Sequence, residues 1–145
     1  MILRPSMVFD PVEGPWFVGE RVTDHFYARE LQCRHCKRLP DTEAFRAFAL
    51  RLERARILAN VPFIITSGFR CVEHNREVGG APDSSHLVAV AADIECNSMS
   101  DRLPIIRGSI LAGFHRIGIA KTFIHIDDDY RKPASIWLYV GDQRV

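Results

Sequence analysis

The sequence predicts an α+β protein: one domain over residues 1–145, with a central antiparallel sheet flanked by helices. Three observations lead there. One long stretch carries apolar residues at helical spacing, several later stretches are short apolar or alternating runs, and the connections between them are short. With 145 residues, 47% of them hydrophobic and 26% charged, the chain is long enough for one well-buried core.

Taken in order, residues 1–30 show no clear period and are punctuated by Pro5, Pro11, Gly14 and Pro15, which reads as an irregular N-terminal wrap. In LPDTEAFRAFALRLERARILANVP, Asp41 or Thr42 can cap a helix, and Glu43 suits the positive end of its dipole. Phe45, Phe48, Ala49, Leu52 and Ala55 then form one apolar stripe with arginines opposite. Asn60 and Pro62 end this core-packing helix after about 16 residues. PFIIT reads as a buried strand ending in SGFR, and CVEHNREV as a short helix stopped by Gly79 and Gly80. APDSSH is loop and VAVAADIEC a second apolar strand. MSDRLPIIRGSILAGF resembles a helix capped by Ser100 or Asp101, with Pro104 in its first turn and Gly113 at its end. RIGIAKTFIHIDDD and ASIWLYV are strand-rich, and there are no internal repeats.

Charge is nearly balanced, 19 Lys and Arg against 18 Asp and Glu, for a net charge of +1. That balance gives no footprint for nucleic acid or an anionic membrane surface. No apolar run approaches the roughly 18 residues of a membrane-spanning helix. The N-terminal MILRPSMVFDPVEGPWF lacks the three regions of a signal peptide, so synthesis and retention in the cytoplasm are expected unless another route carries the protein out. The four cysteines are Cys33, Cys36, Cys71 and Cys96. CRHC is half of a possible zinc site, but no second CxxC or HxxxH accompanies it, so free or opportunistically paired thiols are the plainer expectation.

Two pairs of residues carry potential chemistry. Successive side chains of a strand alternate faces, so His125 and Asp127 share one face while Ile124 and Ile126 enter the core. His86 and Asp93 lie seven residues apart around an apolar run, which fits a loop histidine curling over a strand that carries the carboxylate. A buried aspartate needs a partner. For Asp93 that partner is a metal, an arginine such as Arg70 or Arg102, or several backbone amides.

ITSGFRCVEHNREVGGAPDSSHLVAVAADI, followed by GFHRIGIAKTFIHIDDD and a final WLY, resembles the zinc D-Ala-D-Ala carboxypeptidase and murein endopeptidase superfamily. It is most similar to the small single-domain members common in phages and prophages. The shared pattern is S-G-[FY]-R, then H-N and V-G-G, then S-x-H-x-x-G-x-A-x-D, then F-[IV]-H-[IV]-D. The likeness runs over residues 25–139, and HFYARELQCRHC resembles the segment with a cysteine pair that precedes the first helix.

The resemblance implies a hedgehog/DD-peptidase-like fold and a catalytic zinc ion held by His86, Asp93 and His125, with the fourth position left for water. It implies that Arg70 faces the substrate as a fixed positive fork. Many members place an acid or histidine two or three residues before the last zinc histidine. Phe123 and Thr122 stand there instead, and Asp127 becomes the candidate general base. Trp137 and Tyr139 match the W-x-Y of the superfamily as pocket wall or core, and His115 is a further candidate for the pocket. His74 matches a position read as structural, and His25 and His35 read as surface residues. Ala89 replaces the motif's glycine; if that position has φ > 0, alanine costs on the order of 1 kcal/mol.

The expected activity is zinc-dependent hydrolysis of peptide bonds in peptidoglycan stems or cross-bridges. The absence of an export signal then fits a phage endolysin freed at lysis, or a virion part alongside other virion proteins. Two other readings stand beside it: a structural or virion protein that keeps zinc without activity, and a zinc-free fold in which Asp93 pairs with Arg70.

Overall fold

A computed structural model of the chain describes residues 16, 19–140 and 143–144. Most of the irregular segment expected over residues 1–30 therefore lies outside the described residues. Its final part is more ordered than composition suggests. Arg21 and Tyr27 form an isolated bridge, and a one-turn helix, α1, covers Ala28–Leu31. Glu30 reaches back to accept the Tyr27 N–H at 2.8 Å, the local device that starts a helical turn.

The predicted long helix is present as α2, Glu43–Ala59. Thr42 caps it, its hydroxyl accepting the Phe45 N–H at 3.0 Å, and Asn60 closes it in the left-handed conformation. The stripe from Phe45 to Ala55 is buried as its spacing requires. A second long helix, α4, spans Met99–Leu111 and starts earlier than expected, because the Ser98 hydroxyl accepts the Asp101 N–H at 3.2 Å. Pro104 consequently falls in the second turn, and the carbonyl its ring leaves unpaired belongs to exposed Ser100, which water can satisfy. The two helices meet closely at Gly108, where a Cβ atom would stand 2.6 Å from the Ala55 carbonyl oxygen.

The strands are β1, Ile65–Ser67; β2, Ala91–Glu95; β3, Arg116–Ile119; β4, Phe123–Asp127; β5, Ser135–Val140; and β6, Gln143–Arg144. The short helix α3, Val72–Glu77, follows β1. They form one sheet in the order β1-β2-β4-β3-β5-β6. Its pairs are antiparallel except β3 with β5, which run parallel, so the sheet is mixed rather than wholly antiparallel. The cause is local: β4 returns the chain to the start of β3, and residues 128–134 step past that end to begin β5 on the far side. β1 is also less buried than PFIIT suggested. Phe63 and Ile65 point inward and Ile64 outward, as on an edge strand.

Alternation gives the sheet two faces. Ile94, Ile117, Ile124 and Ile126 join Phe45, Phe48, Leu52, Ile105 and Phe114 in the core beneath the helices. The other face carries Asp93, His125, Gly118 and Trp137 in register across β2, β4, β3 and β5. That row of four aligned positions is the floor of the site.

Candidate metal centre

His125 stands directly opposite Asp93 across the β2–β4 ladder, and its Nδ1 lies 2.8 Å from Asp93 Oδ1. His86 arrives from a single 3-10 turn, Ser85–Val88, that precedes β2. Its Nδ1 lies 2.7 Å from the Gly68 carbonyl oxygen, which can only accept, so that nitrogen carries the proton. The other nitrogen, Nε2, points at Asp93 Oδ1 from 3.3 Å. Burial lowers the His86 pKa against the attraction of Asp93, favouring the neutral ring. A lone pair then faces a carboxylate oxygen, an arrangement that a cation between them resolves.

The turn that delivers His86 is tied from two sides. Ser85 donates its hydroxyl to Asp129 Oδ2 at 2.7 Å, and the Arg70 N–H donates to the His86 carbonyl at 3.1 Å. The turn closes at Ala89, with φ 59°. This is the left-handed conformation that the glycine of the resembling pattern would adopt without cost.

Asp93 is buried, and burial disfavours its charge. His86 and His125 nevertheless hold its pKa well below the usual carboxylate range. Of the two arginines considered as its partner, Arg70 does pair with it, Nη2 donating to Oδ2 at 3.4 Å, whereas Arg102 donates to the Lys121 carbonyl. The two histidines share the other oxygen, Oδ1. One donor atom from each of His86, Asp93 and His125 lies within 4.8 Å of the others. Two imidazoles and a carboxylate on the buried floor of an open cleft suit zinc with a free position.

Asp127 occupies a different place from that of a water-activating base. It is only 1% exposed, and both of its oxygens are engaged. Oδ2 lies 2.7 Å from His125 Nε2, while Oδ1 accepts from Arg116 Nε at 2.7 Å and from the Asp129 N–H at 3.0 Å. Burial opposes its charge, but these partners lower its pKa and leave little basicity for a water in the cleft. Its position behind His125 is that of the carboxylate that orients a ligating imidazole. Sequence reasoning missed Arg116, Asp129 and Ser85. The alternation of RIGI and the acidic run Asp127–Asp129 were the available signals, but they become informative only once β3 is paired with β4.

Above this floor lies a cleft of about 570 Å³, within the usual size range for a ligand site. Arg70 enters it from the turn after β1, with Nε donating to Ser67 Oγ at 2.9 Å and Nη1 to Asn75 Oδ1 at 3.3 Å. Trp137 and Tyr139 form the opposite wall, and the Trp137 ring centroid is 5.4 Å from that of His125. They can lie over β3 because Gly118 has no side chain: a Cβ there would meet Trp137 Nε1 at 2.5 Å. His115 does not join them. It is exposed just before β3 and is not part of the cleft lining; its neighbour Arg116 points inward instead.

A family model described as Peptidase M15 matches residues 24–127, more than two thirds of the chain. The matched span holds His86, Asp93, His125, Asp127 and Arg70, and ends before the aromatic wall of β5. No curated protein matches the chain.

Proposed function

The chain belongs to the peptidase M15 family, and from that membership we propose that it hydrolyses peptide bonds of peptidoglycan stems or cross-bridges with a zinc ion held by His86, Asp93 and His125. The observation that carries this reading is the convergence of His86 Nε2 and His125 Nδ1 on one oxygen of Asp93, at 3.3 and 2.8 Å. Zinc at that point supplies a water acidified toward neutrality and a Lewis acid for the scissile carbonyl.

The chain's own residues divide the remaining work. The Gly68 carbonyl keeps the His86 proton on Nδ1 and so turns Nε2 toward the metal position. Asp127, anchored by Arg116, does the same for His125 from the opposite side. Arg70 offers its guanidinium at the cleft edge to a substrate carboxylate or to the oxyanion that develops at the scissile carbonyl. Trp137 and Tyr139 provide a flat wall for the peptide. No carboxylate other than Asp93 and Asp127 lines the cleft among the described residues, so a proton given up by the water would pass to solvent.

That shortage of a free carboxylate also favours one rival, a zinc-binding virion scaffold without activity. Digestion of purified peptidoglycan with mass analysis of the products separates the two. The proposal expects zinc-dependent release of peptide fragments by the wild type and none by His86→Ala. If the wild type releases no fragments in the presence of zinc, the scaffold reading replaces it. We place the protein in a phage context, as an endolysin or virion component; its presence in purified particles identifies the virion form.

A further inference from the structure

The cysteine pair of CRHC gains in the fold a partner that its sequence neighbourhood lacks. Cys33 and Cys36 lie in the loop after α1, and Cys71 caps α3, immediately beyond Arg70. The three thiols are unbridged, and their sulfur atoms lie within 4.8 Å of one another. Cys33 and Cys71 are buried and Cys36 is partly so. Three mutually adjacent thiols are more than a disulfide uses, and they share none of their atoms with the His86–Asp93–His125 centre.

Hydrogen-bond donors converge on the three sulfur atoms. The Cys71 N–H donates to Cys33 Sγ at 3.4 Å, the His74 N–H to Cys71 Sγ at 3.4 Å, and Arg38 Nε to Cys36 Sγ at 3.3 Å. Each sulfur thus receives a hydrogen bond from a rigid backbone amide or a guanidinium. Three converging thiolates repel one another unless a cation joins them.

We propose that Cys33, Cys36 and Cys71 bind a second, structural zinc ion. The fourth position is left to solvent, since the imidazoles of His35 and His74 face Glu77 in a separate group. The ion ties the loop after α1 to the turn that carries Arg70, and so holds one wall of the cleft. Thiolate sulfur and a tetrahedral four-ligand shell are the usual structural zinc environment.

The test uses the full chain, purified reduced, stripped by chelation and reloaded with zinc or cobalt(II). The proposal expects two zinc ions per chain. It also expects a thiolate-to-cobalt charge-transfer band in the near ultraviolet, and protection of Cys33, Cys36 and Cys71 from alkylation in the zinc-loaded protein. Cys71→Ser loses one equivalent and the band; His86→Ala also loses one equivalent but keeps the band. Should Cys71→Ser fail to fold, the wild-type spectrum and alkylation pattern still decide. A wild type with no charge-transfer band, or with zinc-independent alkylation of all three thiols, overturns the proposal. Neither readout depends on peptidase activity, so this site and the proposed function stand or fall separately.

Discussion

Asp127 shows how much a residue's role depends on what stands behind it. Read along β4 it is a carboxylate two residues from a metal-binding histidine; read across the sheet it is an acceptor already filled by Arg116, the Asp129 amide and His125. Removing its charge therefore weakens the orientation of His125 and, through it, metal binding. Asp127→Asn is expected to lower zinc affinity and activity about 10–100-fold, the usual effect of losing such a partner. Excess zinc should restore much of the activity. A variant that binds zinc normally but remains inactive would instead return Asp127 to the role of base. At Ala89 two small terms oppose each other. Glycine relieves the left-handed strain but gives up a buried methyl group, so Ala89→Gly should change stability by less than about 1 kcal/mol in urea unfolding. Ala89→Val, β-branched at φ 59°, should cost distinctly more.

At the scale of elements, helices were read well and sheet neighbours poorly, for a physical reason. The stripe and caps of α2 are set by residues within one or two turns, so spacing alone places Phe45 to Ala55 inside. The pairing of His86 with Asp93 was legible only as a loop histidine curling back over the strand, since seven extended residues could also carry them more than about 20 Å apart. Cys71 near Cys33, Arg116 against Asp127, and the parallel β3–β5 pair all depend on contacts between distant segments, about which local periodicity says nothing. Likewise His115 is exposed while Arg116 lines the cleft, since the parity of β3 is fixed by its register with β4.

Two element-scale predictions follow the same logic of contact. Gly108→Ala would force α4 away from the Ala55 carbonyl and should destabilise the fold by about 1–3 kcal/mol, read by thermal or urea unfolding. Glu53 on α2 accepts from Thr23 Oγ1, from the His25 N–H and at His25 Nδ1, at 2.6–2.7 Å. Burial opposes its charge, but these partners lower its pKa. Its stabilising contribution is thus complete above the unfolded value of about 4.3 and vanishes as pH falls through the lower folded one. Glu53→Gln should cost about 1–3 kcal/mol at neutral pH, and the deficit should shrink in acid. A deficit that does not vary with pH would assign the cost to packing instead of charge.

For the molecule as a whole, the sheet separates stability from chemistry: one face closes the isoleucine core, and the other gathers buried charge that is costly unless compensated. Without metal, the compensation falls largely to a proton on His125. Burial opposes that proton, but Asp127 and Asp93, one at each ring nitrogen, raise the His125 pKa. The stabilisation it provides is full below the unfolded value of about 6.5 and is lost as pH rises through the raised folded value. Zinc needs the Nδ1 lone pair that this proton occupies, so proton and metal compete for one atom. Zinc should therefore raise the melting temperature more at about pH 8.5 than at about pH 6, since it binds where the proton has left and stabilises in proportion to ln(1 + [Zn]/Kd). The thiol cluster contributes in the same direction, so the measurement to make is the zinc-induced shift of wild type minus that of His86→Ala, at both pH values. A difference that grows with pH ties the buried centre to the stability of the whole sheet. One that stays flat, or is absent, removes the metal from His86, Asp93 and His125.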